Sequence, residues 1–403
     1  MTTKLERAVQ RVVRAENCAG CGVCPLISDR LEMELSDDGF LRPSVRDTPT
    51  DRDDDAAEAS LFAKVCPGMR LTARRLPEQQ QHPILGRYVE AWQGWAVDEE
   101  IRRAGSSGGV LTALSDWLVS SGRAPAVRAS GMGAERPTTT VSVRITTREE
   151  AIASAGSRYA PVSNARRDDE PDPFVGKPCE VSAMHNLATQ GGSGSEPPLL
   201  LSFFCAGTPS QKATDRLVEE LGGHADRVSN LRYRGDGWPG SFKFSTSDGV
   251  VGEMSYQMSW GKRLGREVQL RCKICPDGTG EHADIAVGDY WDADENGFPM
   301  FTEAFGNSVV IARTQRGAEI LRAASEDGVI MLSSIDLDDV ASVQPLQKLR
   351  RRTIGGRLVG RMIGGVRIPR YRGYGILHRL ATNLFDNVRA AAGTFARTVG
   401  VRQ

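Results

Sequence analysis

Three cysteines two residues apart, Cys18, Cys21 and Cys24, with a fourth at Cys66 followed by Pro67, constrain this chain more than any other feature. A C-x2-C-x2-C run lets successive thiolates of a tight turn wrap one face of a metal cluster. A later Cys-Pro completes the ferredoxin arrangement, here after a lengthened gap. Ala19, Gly20, Gly22 and Val23 are small enough for backbone amides to approach the cluster sulfides, and such amide hydrogen bonds help set a potential. A structural zinc also takes four cysteines. Zinc knuckles, however, usually present two separated C-x2-C pairs and not a triple run.

Four more cysteines bring the total to eight, the ligand count of two cubane clusters. Cys179 lies in KPCE, Cys205 in FFCAG, and Cys272 and Cys275 in RCKICPDG. A lone cysteine after the apolar run LLLSFF also reads as a small buried hydrophobe. The C-x2-C pair needs two more ligands, and only Cys179 and Cys205 remain. Two [4Fe-4S] clusters are therefore the expectation. A disulfide framework is not expected, because the N-terminal stretch lacks an apolar signal core and no run of 18 apolar residues exists. Those features predict a cytoplasmic protein, in which thiols stay reduced.

At 403 residues the chain has room for two or three domains. Residues 1–85 read as a cysteine-bearing module with an acidic stretch over 46–60, and LPEQQQHP (76–83) reads as a linker. Over 86–165, a strand pattern (89–97), a helix after GSSGG and a second strand (138–147) alternate, which indicates an α/β layer architecture. Within that helix Val110, Leu111, Leu114, Trp117 and Leu118 fall at helical spacing. A polar connection (166–176) opens a segment running to 335, with a Gly/Ser/Pro loop at 189–198. In that segment we expect a helix after Cys179, an apolar strand ending at Cys205, a helix over 209–221 and strands through 229–255. Strands at 282–291 and 307 onward, then a helix, complete it. Residues 336–403 form a basic tail in which 376–396 reads as one amphipathic helix through Leu377, Leu380, Leu384, Val388 and Phe395. The fold class is α/β, or mixed α+β, with a ferredoxin-like N-terminal segment. Lysine plus arginine equals aspartate plus glutamate at 51 each, so charge points to no nucleic-acid partner.

Gly105, Ser106, Ser107, Gly108 and Gly109 directly precede a helix. Exposed amides and the helix dipole there suit an anion such as a pyrophosphate, although a plain flexible turn has the same composition. The loop matches neither the Rossmann nor the Walker pattern. A second candidate, Gly156 to Tyr159, offers amides, the Ser157 hydroxyl, the Arg158 cation and the Tyr159 ring.

Taken together, CAGCGVCP, GSSGGVLTAL, GSRYAPV, GKPCEVSAM, FFCAG, YRGDGWPG, RCKICPDG and ADIAVGDYW resemble the coenzyme F420 hydrogenase/dehydrogenase beta subunit family, collinearly from about residue 16 to 300. GRLVGRMIGGVRIPRYRGYG (356–375) is similar to that family's tail. The resemblance implies N-terminal (86–165) and C-terminal (166–335) domains of the family's type. It also implies non-covalent FAD beside a cluster held by Cys179, Cys205, Cys272 and Cys275. Gly105 to Gly109 would hold the FAD pyrophosphate, and Ser157, Arg158 and Tyr159 would flank its ribityl chain or ring. The expected activity is that of an oxidoreductase passing electrons between ferredoxin or F420 and a substrate. The alternative is an electron-transfer subunit with no substrate of its own. A partner subunit or a homo-oligomer is compatible with either.

One departure stands out. The family commonly has Gly-Thr-Pro-Cys where this chain has Lys177 before Pro178-Cys179, which places a cation by the cluster or flavin unless the side chain extends into solvent. Asp277, Asp284 and Asp289 are candidates for ribose or indirect contacts, or are turn residues. Trp238 and Trp260 are candidates for the site mouth, or for packing. His185 and His282 titrate near neutrality and are possible proton donors, but no catalytic acid is assigned. The basic tail reads as a docking surface for an acidic partner or membrane, or as a packed helix with a solvated arginine face.

Overall fold

The structure, a computed structural model, describes residues 2–46, 54–165, 172–191, 197–294 and 300–400. Residues 47–53 of the acidic stretch, 166–171 of the polar connection and 192–196 of the Gly/Ser loop lie outside the described residues.

Along the N-terminal module run α1 (Lys4–Arg14), α2 (Cys24–Ile27), β1 (Leu31–Leu35), β2 (Leu41–Val45), α3 (Asp55–Val65) and β3 (Arg70–Thr72). A short hairpin of β4 (Gln80–His82) and β5 (Gly86–Tyr88) follows. The central part comprises β6 (Glu90–Ala96), α4 (Glu99–Ala104), α5 (Val110–Ser120), β7 (Val127–Met132), β8 (Thr140–Ile145), α6 (Arg148–Ala153), β9 (Phe174–Gly176), α7 (Pro178–Gln190) and β10 (Leu200–Phe203). Next come α8 (Gln211–Glu220), the strands β11 (Val228–Arg232), β12 (Ser241–Thr246) and β13 (Val251–Ser255), then α9 (Leu270–Lys273), β14 (Ile285–Asp289), β15 (Ser308–Ala312), α10 (Gln315–Glu326) and β16 (Ile330–Ser334). The tail holds α11 (Leu337–Ser342), α12 (Pro345–Ile363), β17 (Arg370–Arg372), α13 (Ile376–Thr382) and α14 (Leu384–Thr398).

Eight strands form one mixed sheet in the order β16-β6-β15-β14-β10-β9-β7-β8. Its middle is parallel, since β10 pairs in parallel with both β14 and β9, and β9 with β7. The flanking pairs are antiparallel. The central strands β14 and β15 are buried on both faces whatever the direction of their neighbours, which is why they read as near-continuous apolar runs. The segments 86–165 and 166–335 thus contribute strands to the same sheet. On it α5 lays Val110, Ala113, Leu114, Trp117 and Leu118, all buried, each contributing about 1.5–3 kcal/mol for the larger apolar side chains.

Strands β11, β12 and β13 make a separate antiparallel sheet whose core holds Tyr233, Phe242, Phe244 and Trp260. The tail does not stand apart. Strand β17 pairs in parallel with β3 of the N-terminal module, and α12 packs along α14. The single helix expected over 376–396 is two helices broken at Asn383, whose side chain donates to the carbonyl of Arg379. Its apolar residues also face outward: Leu377, Leu384 and Val388 are exposed, while Asn387 and Thr394 are the buried residues of α14. The small residues Gly356 and Gly360 on α12 let the helix backbones approach so closely that apolar side chains are not needed between them.

Candidate functional site

Cys18, Cys21, Cys24 and Cys66 line one cavity, walled by Val9, Val12, Pro43 and Phe62. Two features of the local chain make this possible. Gly20 and Gly22 both take positive φ, +68° and +82°, so the turn reverses twice within seven residues. Added Cβ atoms would fall 2.9 Å from the Leu41 carbonyl and 2.8 Å from the Ser163 Cβ. Cys66 arrives at the end of α3, where its amide still bonds the carbonyl of Phe62. The Gly20 amide points at the Cys18 sulfur, 3.4 Å away. All four thiols are buried. Burial, then the neighbouring sulfurs, push Cys21 and Cys24 well up and Cys66 to about 12. Four thiolates cannot share such a space without cationic compensation, which is what cluster iron supplies. Among the described residues, no three His, Cys, Asp or Glu side chains group closely enough to cage a single metal ion.

The second set is assembled from three separate parts of the chain. Cys179 sits in the first turn of α7, Cys205 follows β10, and Cys272 and Cys275 bracket the end of α9. Burial and the charges of Cys272 and Cys275 raise Cys205 to about 12, despite Arg350 nearby. Burial, then Glu180, Cys21 and Cys205, raise Cys179 against the opposing charge of Lys177. The Thr208 amide lies 3.4 Å from the Cys272 sulfur, and the Cys275 thiol donates to the Asp277 carbonyl at 3.0 Å. These four are partly exposed, in contrast to the first set. The mutual influence of Cys21 and Cys179 puts the two sets side by side.

Arg271 lies between them. It is fully buried, donates to the carbonyl of Pro67 at 3.1 Å, and leaves its Nε and Nη1 without partners. Burial works against its charge, yet Tyr371 and the sulfurs of Cys275, Cys179 and Cys272 raise its pKa above the ordinary value. A buried guanidinium with two unpartnered nitrogens beside Cys66, Cys179, Cys272 and Cys275 fits an anionic group held by those sulfurs. Lys177 is also buried and does not extend into solvent. Its ammonium donates to Glu180 at 2.7 Å and to the Val162 carbonyl at 2.9 Å, within the electrostatic reach of Cys179 and Cys205. Sequence reasoning did not single out Arg271 or Glu180. An arginine in RCKIC and a glutamate three residues after a lysine were the available signals.

The glycine loop is placed directly before α5, whose first-turn amides have no helical acceptor. Ser157 donates to the Ser106 hydroxyl at 2.8 Å, joining the two flavin candidates. Ser107 donates to the Asn307 carbonyl at 2.8 Å, and the Gly108 amide donates to Ser308 at 2.9 Å. The Gly237 amide meets the Arg103 carbonyl, so the loop of YRGDGWPG arrives at the same place. Arg158 has another role. Its guanidinium donates to Thr140, Pro137, Thr139 and Leu231, and it covers the Tyr233 ring at 5.1 Å. It braces the two sheets against each other. Tyr159 packs 4.5 Å from Trp260, inside the small-sheet core. From Ser157 the chain needs only five residues, at most about 18 Å of extended backbone, to reach Val162 beside Lys177.

The remaining candidates are engaged, most of them buried and Asp289 and His185 half-buried. Asp277 accepts amides from Thr279, Gly280 and Glu281, and Asp284 accepts from the Leu200 amide and Thr314. Asp289 pairs with Arg234 at 2.6 Å. That arginine is ringed by Trp238, Tyr256 and Trp291 at 4.5–4.9 Å, an arrangement the sequence did not reveal. His185 and His282 face each other with ring centroids 5.6 Å apart. Burial, then His282 and Arg74, hold His185 down at about 3, so it is neutral at pH 7.

The family described as coenzyme F420 hydrogenase/dehydrogenase beta subunit matches this chain with its N-terminal part over residues 91–166 and its C-terminal part over 173–338. The coenzyme F420 hydrogenase subunit beta of Methanothermobacter thermautotrophicus is 26% identical over 268 residues, covering 63% of this chain and 87% of that protein. The coenzyme F420-dependent sulfite reductase of Methanocaldococcus jannaschii is 23% identical across 86% of this chain, which spans 51% of that protein. The F420-dependent formate dehydrogenase 1 subunit beta of Methanococcus maripaludis is 25% identical over 58% of this chain and 59% of its own length. This chain therefore spans little more than half of the latter two. A chain of the F420-reducing [NiFe] hydrogenase complex from Methanosarcina barkeri has the same fold, with a TM-score of 0.51, 24% identity, and coverage of 68% of this chain and 91% of that one.

Proposed function

The chain belongs to the coenzyme F420 hydrogenase/dehydrogenase beta subunit family, and from that premise we propose that it is an iron–sulfur flavoprotein oxidoreductase. In this reading Cys18, Cys21, Cys24 and Cys66 hold one [4Fe-4S] cluster, in a ferredoxin-like N-terminal segment. Cys179, Cys205, Cys272 and Cys275 hold the second. The observation that carries it is the convergence of eight cysteines into two adjacent groups of four, one lining a common cavity and the other drawn from three separate parts of the chain. A cluster keeps its thiolates at the corners of a body of several atoms. A lone zinc would draw all four sulfurs to about 2.3 Å from one point.

The loop Gly105–Gly109 and Ser157 are the residues that would receive FAD, with the amides of α5 toward its pyrophosphate. Bound there, flavin and clusters would supply the exchange between two-electron and one-electron transfer. The chain's own residues surround the thiolates with apolar walls, aim the Gly20 and Thr208 amides at sulfur, and place Arg271 and Lys177 as fixed cations. Arg158 would position the Ser157–Tyr159 turn from behind and not touch the flavin. The electron partner would be F420 or a ferredoxin.

A second reading is an electron-transfer subunit with no substrate of its own, favoured by relatives that are named as beta subunits. Anaerobic purification, iron, sulfide and flavin analysis, and EPR of the reduced protein test the first reading. About eight irons and one FAD per chain are expected. Zinc without flavin would overturn it. Flavin reduction by reduced F420 or ferredoxin, with no small molecule turned over, would select the relay.

A further inference from the structure

Residues 345–400 contain Lys348 and eleven arginines against a single acid, Asp386, in a chain whose net charge is zero. This segment follows the end of the C-terminal family match at residue 338. Its inner side is occupied. Arg350, Arg351 and Arg361 are buried and bond backbone or Glu281 inside the protein, and Arg352 pairs with Asp386. Its outer side is not. Arg367, Arg370, Arg372, Arg389 and Arg397 are exposed.

Among these charges stand large apolar side chains. Phe385, Val388 and Phe395 along α14 and Val399 at its C-cap recur at helical spacing and are all exposed, Phe385 to 81%. Leu384 flanks that stripe, and Leu377 on α13 is 83% exposed. Met362 and Ile363 end α12 beside the last turn of α14, where Gly364 meets Thr398, and they too are exposed. Side chains as exposed as Leu377 and Phe385 have no flanking wall, so the surface is a convex ridge and not a groove.

We propose that α13 and α14 form a monotopic docking surface for an anionic lipid bilayer. The charge selects the occupant. A ridge of leucine, phenylalanine and valine bordered by exposed arginines, with almost no acid, is complementary to anionic headgroups over an acyl layer. The arginine stems can lie along the apolar surface while their guanidinium groups reach phosphate. No described helix is long and apolar enough to cross a membrane, so the attachment is by insertion of side chains at the interface.

The test is flotation of the 403-residue chain with vesicles of equal parts phosphatidylglycerol and phosphatidylcholine, beside vesicles of phosphatidylcholine alone. The protein should float with the anionic vesicles only, and release as salt is raised. The triple variant Leu384→Ser, Phe385→Ser, Val388→Ser should lower the partition coefficient by at least about tenfold, since binding strength scales with the apolar area buried. Arg389→Glu with Arg397→Glu should lower it similarly. All five residues are exposed, so unchanged thermal unfolding separates loss of docking from loss of fold. Equal binding to both vesicle types, no binding to either, or wild-type binding by the triple variant would overturn the proposal. So would a concentration-dependent dimer, seen by light scattering and abolished by the triple variant, which would assign the ridge to a second copy.

Discussion

Lys177 and Glu180 form a pair that neither could occupy alone. Both are buried, and the Glu180 side chain also accepts the amides of Lys177 and Asn164. Glu180→Gln would leave an ammonium buried without its counter-charge, at a cost of about 3–5 kcal/mol, read as a lower midpoint in denaturant. Lys177→Met removes a fixed positive charge beside Cys179 and Cys205. The group those cysteines hold should then be harder to reduce, with a more negative potential in an EPR-monitored titration. An unchanged potential would mean that the lysine serves packing only. His185 yields a pH prediction. Its folded pKa is near 3 against an ordinary 6.5, because burial and the neighbouring His282 and Arg74 disfavour the charged ring. The unfolded chain therefore binds the extra proton first, and stability falls as pH drops from about 6.5 toward 3. His185→Asn should flatten the unfolding free energy across that window. The roles of Lys177 and His185 were only half legible. A lysine before Pro-Cys signals a cation near a ligand, but its burial depends on Glu180 and on the Val162 carbonyl, brought back from fifteen residues earlier.

At the scale of elements, periodicity was readable wherever one face of an element meets the sheet. The α5 stripe and the apolar β10, β14 and β15 were legible for that reason. The tail was not, because α14 packs on α12 through glycine and backbone and leaves its own apolar side chains outside, while α12 turns Ile354 and Leu358 toward Ile274. On α12 a Cβ added at Gly356 would run into the Asn387 carbonyl, whose side chain also accepts the Gly356 amide. Gly356→Ala should therefore push the helices apart and cost about 1–3 kcal/mol, despite the better helix propensity of alanine. Thermal unfolding measures the balance. A gain in stability would show that α12 and α14 sit more loosely than their contact implies.

For the whole molecule, the tail behaves as a strap across both cysteine groups. Arg361 donates to the Ala15 carbonyl, Asn17 donates to Arg367, and β17 pairs with β3 immediately after Cys66. At the second group, Tyr371 donates to the Ile274 carbonyl, Arg357 to that of Lys273, and Gln347 to that of Cys205. None of this was visible in the linear pattern, since each contact joins residues about 80 to 350 positions apart, and only the cysteine spacings announced that the two ends must be held. The strap fixes backbone, not cysteine side chains, so its loss should loosen the cysteine loops before it unfolds the central sheet. Arg361→Met removes one tie and keeps the volume. It should lower the unfolding temperature by a few degrees and speed loss of iron to a chelator, from the group at Cys18, Cys21, Cys24 and Cys66 before the other. Equal rates of loss from both groups would show that the tail steadies the molecule as a unit and not through the contact at Ala15.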